Sequence, residues 1–248
     1  MALRRFRADL HIHSCLSPCG ELLNSPLRIV ERALAESLEV IALCDHNTAE
    51  NARAALQAAH GTGLTVLPGM EITSEEEVHI LGLFGSLKSA LQVQAEVYRR
   101  LPRLPVKESV VQDQVIVDSN DEVRGFNPRC LMAATGLGVR EVVDLVHEKG
   151  GLAVASHIDR EAFGLISQLG FIPPDLDLDA LEVSPLMTLA DARIKYASCA
   201  PLPLVQFSDA HSPEEIGRAS TGLWLGGPTL DEIRQAFRAE NGRRICDS

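Results

Sequence analysis

The sequence predicts an α/β fold built on a largely parallel sheet or barrel. Short apolar, strand-like runs alternate with amphipathic, helix-like runs along much of the 248 residues. Polar side chains of high chemical capability fall at or just after the ends of the strand-like runs, where parallel α/β folds assemble their sites. The length also fits one β/α barrel domain, and a single domain over 1–248 is the expectation.

Ala8–His13 reads as the first strand. Ser25-Pro26 then opens a helix over Leu27–Ser37, with Ser25 as N-cap, Pro26 at the first helical position and an apolar stripe of Ile29, Val30, Ala33 and Leu34. Val40–Cys44 is a short apolar strand ending in Asp45-His46-Asn47, and Thr48 is placed to cap an Ala-rich helix running to about His60. Leu64–Leu67, followed by Pro68-Gly69-Met70-Glu71, and Val78–Phe84 are the third and fourth strands. From about Ser86 to Gly138 the alternation breaks. A helix near Ser89–Arg100 leads to Pro102 and Pro105, and Gln114–Val117 and Glu122–Phe126 flank Asp118-Ser119-Asn120-Asp121 as a β-hairpin. This stretch, 86–138, is an insertion expected to shape or cover the pocket or to mediate self-association. Val139–Lys149 is a helix stopped by Gly150-Gly151. Strands follow at Leu152–Ser156, Ala180–Val183 and Leu204–Phe207. Ser212-Pro213-Glu214-Glu215 has the capping-box pattern, with Ser212 as N-cap and Glu215 at N3. A strand near Leu223–Leu225 precedes a last helix, Leu230–Ala239.

Composition narrows the function. Hydrophobic residues make up 46%, enough for a sizeable core, and the formal net charge is -11, so no basic footprint exists for gripping long nucleic acid. Seven Phe, two Tyr and one Trp give no evident platform for stacking several bases. The six cysteines, at 15, 19, 44, 130, 199 and 246, form no secreted disulfide framework, and Cys15 and Cys19 lack zinc-knuckle spacing. The basic start Met1-Ala2-Leu3-Arg4-Arg5-Phe6-Arg7 runs straight into a strand, and no apolar run is long enough to span a membrane. A cytoplasmic protein is expected.

The chemistry begins in the first strand, Asp9-Leu10-His11-Ile12-His13. Alternation places Asp9, His11 and His13 on one face and Leu10 and Ile12 on the other. Two adjacent imidazoles suit a divalent metal, and Asp9 is placed to orient one of them. Of eight histidines, six are strand-associated: 11, 13, 46, 79, 157 and 211. Together with Glu71 and Asp209 they form a candidate ligand set, in which His79 is the weakest member. His60 and His147 fall on helices and read as surface residues.

The motifs Asp9-Leu10-His11-Ile12-His13-Ser14, Cys44-Asp45-His46-Asn47, Gly69-Met70-Glu71-Ile72, Ser156-His157 and Ser208-Asp209-Ala210-His211 occur in the order found in a known family. In this set the chain resembles the PHP (polymerase and histidinol phosphatase) metal-dependent phosphoesterases, over most of its length. The resemblance implies a distorted seven-stranded (β/α)7 barrel holding two or three divalent metal ions. It also implies that His11, His13, Glu71 and Asp209 bind a first metal, that Glu71 bridges to a second completed by His79 and His157, and that His46 and His211 hold a third. A histidine-rich set with few carboxylates suits zinc, manganese or iron. The chain departs from the family pattern at Ser14-Cys15-Leu16-Ser17-Pro18-Cys19-Gly20-Glu21, where Cys19 takes a third-metal ligand position. Cys19 is either a thiolate ligand or an inert side chain, with Glu21 as an alternative ligand. Cys15 and Cys44 read as small hydrophobes.

The implied reaction is hydrolysis of a phosphate ester through a metal-bridging hydroxide. Arg160 is the candidate phosphate clamp, with Arg218 a weaker one. His211 or Asp45 is the candidate leaving-group acid. The size and the His79 position resemble the branch of the family acting on nucleotides, short RNA and small metabolites. A nucleotide, short single-stranded nucleic acid or small phosphorylated metabolite is therefore the expected partner. Two rivals stand beside this reading. An amidohydrolase-type barrel also begins H-x-H, but it places a lysine at a middle strand end, and here Lys88, Lys107, Lys149 and Lys195 fall in helices or the insertion. A non-catalytic metal-binding regulatory module is the other.

Overall fold

The computed structural model describes residues 2–103, 113–199 and 201–246. Its strands are β1 (Arg4–Ile12), β2 (Val40–Leu43), β3 (Thr65–Thr73), β4 (His79–Leu83), β5 (Val115–Val117), β6 (Val123–Phe126), β7 (Leu152–Ala155), β8 (Ala180–Val183), β9 (Leu204–Gln206), β10 (Thr221–Leu225) and β11 (Arg244–Cys246). Its α-helices are α1 (Pro26–Ala35), α2 (Ala52–Ala58), α3 (Leu87–Arg100), α4 (Val139–Glu148), α5 (Leu165–Leu169), α6 (Leu189–Lys195) and α7 (Leu230–Phe237). Pro105 and Lys107 lie outside the described residues.

One sheet of nine strands runs in the order β11-β10-β1-β2-β3-β4-β7-β8-β9. The segment after β9 bridges back to β1 at Ile12–Ala210, so β1 round to β9 makes a nearly closed seven-membered ring. The expected seven-stranded barrel corresponds to this ring; β10, which holds the expected strand near Leu223–Leu225, and the unforeseen β11 extend the sheet beyond β1 by antiparallel pairing. One ring member also departs from parallel order: β4 pairs antiparallel with both β3 and β7. Only five residues, 74–78, separate β3 from β4, too few for a crossover, so the chain must turn straight back. The start of β4 consequently lies beside the C-terminal ends of β3 and β7.

Every ring strand contributes to one apolar cluster that includes Ala8, Leu10, Val40, Ala42, Leu67, Leu81, Leu83, Val154, Ala180 and Val205, which is the filling of the barrel. Leu10 and Ile12, assigned by alternation to one face, join different clusters. The β1–β2 register shifts between Asp9 and Ile12, and this irregularity breaks the period-2 pattern.

Local signals explain most elements. Ser25 caps α1, its Oγ accepting from Arg28 N, with Pro26 behind it. Gly150 stops α4 in a left-handed conformation at φ +73°. Two capping expectations are corrected. Thr48 does not cap α2; its hydroxyl engages Gln94 and Tyr98, and α2 starts later, at Ala52. Ser212 makes no side-chain cap, and the residues after it form only a 3₁₀ turn, because Glu215 instead accepts from His211 N. The predicted hairpin is present as β5–β6. It is docked by Val115 N–H donating to Cys15 O and Val117 N–H donating to Asn51 Oδ1, with Cys15, Val115 and Val117 forming a small cluster. The hairpin thus touches the loop that follows β1.

Candidate active site

The strand ends bring the predicted ligands together. His11 and His13 end β1, His46 follows β2, Glu71 lies late in β3, His157 follows β7, and Asp209 and His211 follow β9. His79 opens β4, and the reversal of that strand delivers it to the same end. Three sets of ligand atoms, each mutually within 4.8 Å, result: His11, His13 and Glu71; His46, Glu71 and His79; and His13, Cys19, His46 and His211. Cys19 therefore sits among imidazoles, whereas the exposed Glu21 belongs to none of these sets among the described residues.

Glu71 is the hub. Its Oε1 lies 3.0 Å from His79 Nδ1, 3.2 Å from His157 Nε2 and 3.5 Å from His11 Nε2. Its Oε2 lies 3.2 Å from His46 Nδ1 and 3.4 Å from His13 Nε2. Asp209 Oδ1 stands 3.3 Å from His11 Nε2 and 3.2 Å from His13 Nε2. Backbone strain fixes these corners: Asn47, His157 and Asp209 all adopt positive φ, at +53°, +28° and +49°.

The outer hydrogen bonds settle which imidazole nitrogens face inward. His11 Nδ1 lies 3.0 Å from both oxygens of the fully buried Glu182, so Nδ1–H donates there and Nε2 carries a lone pair. Ser17 Oγ gives its proton to Asp45 Oδ1 at 2.8 Å, so it accepts from His13 Nδ1–H at 3.0 Å and from His46 N–H at 3.1 Å. His211 Nδ1–H donates to Asp209 O at 2.8 Å. His11 Nε2 and His13 Nε2 then face each other across 3.1 Å as two lone pairs. Among the described residues buried His157 Nδ1 has no hydrogen-bond partner, and His46 and His79 meet Glu71 without hydrogen-bond alignment.

Two buried lone pairs at that distance repel unless a cation lies between them. Ligands about 2.1 Å from one tetrahedral ion stand roughly 3.4 Å apart, which matches the nitrogen–oxygen spacings of this cluster. The donor set fits divalent metal. The same pull acts on protons. Burial opposes the charge on His13, yet its bonds to Asp209 and Glu71 raise it to about 9. Burial likewise opposes ionisation of Glu71, but His79 and His11 hold its carboxyl well below the usual range. Farther out, burial and then His13 lower His211 to about 4, and burial and then Glu71 push the Cys19 thiol up to about 12.

The remaining candidates are placed less centrally. Asp45 stands behind the histidines, accepting from Ser14 N at 2.6 Å, Ser14 Oγ at 2.8 Å and Ser17 Oγ. Arg160 Nη1 reaches Asp209 Oδ2 at 2.7 Å, with its side chain 32% exposed. Arg218 is bound to Ser208 O and Glu215. Among the described residues Asp9 orients no histidine; it accepts from Ser208 N and Gly217 N, and the β1 irregularity between Asp9 and Ile12 separates its face from that of His11 and His13. His147 is not a free surface residue: its Nε2 pairs with Asp179 Oδ2 at 2.8 Å.

Glu182, the partner of His11, escapes the motif reading, as does Ser17. The signal for Glu182 was an acid inside the apolar strand Ala180-Leu181-Glu182-Val183, because a charge buried there requires a partner.

The sequence profile of the PHP domain matches residues 9–181, and that of the PHP-associated region matches 193–241. A Haemophilus influenzae protein named 5'-3' exoribonuclease is 42% identical over 78 residues, 30% of this chain and only 27% of that protein. A Salmonella typhimurium protein named 5'-3' exoribonuclease Rnm is 26% identical across 88% of this chain and 89% of its own. The lesion-specific endonuclease EndoQ of Pyrococcus furiosus shares the fold, with a TM-score of 0.76 at 20% identity; the match covers 98% of this chain and 58% of that one.

Proposed function

The chain belongs to the PHP domain family, and from that membership we propose that it is a metal-dependent phosphoester hydrolase acting on nucleotides or short single-stranded nucleic acid. The observation that carries the reading is the convergence of six imidazoles, Glu71 and Asp209, with two inward lone pairs 3.1 Å apart. The names of the two relatives support the nucleotide end of the substrate range. The net charge of -11 favours a short substrate over a long one.

In this reading His11, His13, Glu71 and Asp209 hold one ion. Glu71, His79 and His157 hold a second, and His46, His211 and Cys19 hold a third. Divalent ions there supply an activated water and neutralise the phosphate oxygens. The chain's own groups do the rest. Glu182 and Ser17 keep the Nδ1 protons of His11 and His13 on the outside. Asp45, with three hydrogen bonds accepted, anchors Ser14 and Ser17 and has little capacity left for proton transfer. His211, 29% exposed, keeps its Nδ1–H on Asp209 O and presents Nε2 as the donor to the third ion, which leaves it no proton for the leaving group. Arg160 trades its contact with Asp209 for a substrate phosphate oxygen. Six unpaired cysteines are consistent with a reducing, cytoplasmic setting.

The test is a panel of nucleoside monophosphates, short oligonucleotides and sugar phosphates, screened with Mn²⁺, Zn²⁺, Fe²⁺ and Mg²⁺. Hydrolysis that His13→Ala abolishes is expected. Hydrolysis that survives in His13→Ala contradicts the site.

A further inference from the structure

The turn that follows His157 carries Arg160 and Phe163, both outside the ligand set. We propose that Phe163 is a specificity-determining residue that stacks on the base of a nucleotide whose phosphate lies at the metal centre. This rests on the nucleotide phosphoesterase reading above and adds to it the residue that recognises the base.

Phe163 is held in an unfavourable conformation. Its φ is +60°, a region that bulky L-residues rarely adopt. The surrounding turn enforces it. His79 N–H donates to Phe163 O at 3.0 Å, and Asp159 is clipped to Ser184 N and Oγ at 2.7 and 2.6 Å. Gly164 packs so closely on the Arg160 carbonyl that a Cβ there would collide with it. The result is a ring stacked on the His79 imidazole, with centroids 4.3 Å apart and planes 13° from parallel. Its residue is neither buried nor fully exposed, and Glu161 and Ala162 beside it are exposed.

Packing alone gives no reason for this cost. A partly exposed ring contributes little to the core, and a strained conformation costs of the order of 1–3 kcal/mol. Strain of this kind clusters at ligand-contacting positions. One face of the ring lies on a candidate metal-ligating imidazole, three residues from an arginine that touches Asp209. A flat π-surface beside a phosphate-binding cation matches the two ends of a nucleotide, since any base can stack and the contact tolerates sequence. It serves one base, in keeping with a chain poor in aromatics.

The alternative is that Phe163 only shields His79 from water. Phe163→Leu separates the two, because it keeps an apolar cover and loses the stack. Phe163→Trp keeps both. The ligands are adenosine 5'-thiomonophosphate, which resists turnover, and ribose 5-phosphate, which lacks the base. Binding to metal-loaded protein is measured by equilibrium dialysis, with metal content determined in parallel. We expect Phe163→Leu to weaken the adenosine ligand about tenfold, to leave ribose 5-phosphate within about twofold, and to retain its metal, while Phe163→Trp binds like wild type. Equal weakening of both ligands, loss of metal, or no change for the adenosine ligand overturns the proposal. So does wild-type protein that binds the two ligands equally. Absence of hydrolysis across the ester panel, with the Phe163→Leu binding difference intact, would refute the catalytic reading and leave this one standing.

Discussion

Glu182→Gln tests how the centre is organised. The carboxylate is fully buried, and its oxygens stand 3.0 Å from His11 Nδ1. Its Oε2 also accepts from His157 N at 3.3 Å. Glutamine keeps the volume, so packing changes little. With the amide oxygen at the Oε2 position, the amide nitrogen lies about one hydrogen bond from Nδ1, where two N–H groups would collide. The conflict is relieved by moving the His11 proton to Nε2, the atom that faces His13, Glu71 and Asp209. The variant thus favours the imidazole tautomer that cannot ligate. Losing such an orienting partner weakens metal binding about 10–100-fold, or about 1.4–2.7 kcal/mol. The assay is metal content after dialysis against buffers of graded free Zn²⁺ or Mn²⁺, alongside thermal unfolding with and without chelator. The expected signature is a rightward shift of the binding curve and a smaller stabilisation by metal. An unchanged binding curve refutes the tautomer argument.

Three further outcomes are expected. Cys19→Ser should cost one equivalent of metal and leave the remaining sites filled, because Cys19 lies with His13, His46 and His211; unchanged stoichiometry by elemental analysis would make the thiol inert. His147→Gln removes a charge-assisted contact with Asp179, which is the leading cause of the raised His147 pKa. Because the folded-state pKa is the higher one, this stabilisation is present below the usual imidazole range and fades as pH rises through the folded value. Urea unfolding should show a deficit of about 0.5–1 kcal/mol at pH near 6 and almost none near 9, the pair being part-exposed; a deficit independent of pH would show lost packing instead. Deleting the hairpin Gln114–Phe126, which rests on Cys15 and Asn51, should raise KM by about tenfold, about 1.4 kcal/mol, with metal content preserved. Unchanged kinetics would remove the hairpin from the pocket.

The clustering of candidate ligands was legible because metal chemistry needs particular residue types at strand ends, and His11, His13, His46, Glu71, His157, Asp209 and His211 carry that signature in sequence and converge in space. Strand direction was less legible, since hydrophobic pattern records burial and not polarity. The five-residue link before His79 was the available clue to the reversal of β4, and it is the reversal that places His79 at the centre. Alternation failed at Asp9 and Leu10 because a register irregularity leaves no compositional trace. Thr48 and Ser212 carried true capping chemistry, but tertiary partners, Tyr98 and Gln94 for one hydroxyl and the Glu215–His211 contact beside the other, displaced it. Phe163 left no pattern at all, because its conformation is imposed by the turn around it.

In the proposed reading these strand ends form one multinuclear metal centre that hydrolyses phosphate esters. Its most direct test is metal stoichiometry against activity, by titrating chelator-stripped protein with Mn²⁺ or Zn²⁺ while following hydrolysis of a nucleoside monophosphate. Activity that appears only as two or more equivalents bind, and that is absent in His13→Ala, is the expected result. Binding of less than one equivalent, or hydrolysis indifferent to chelator, would contradict it.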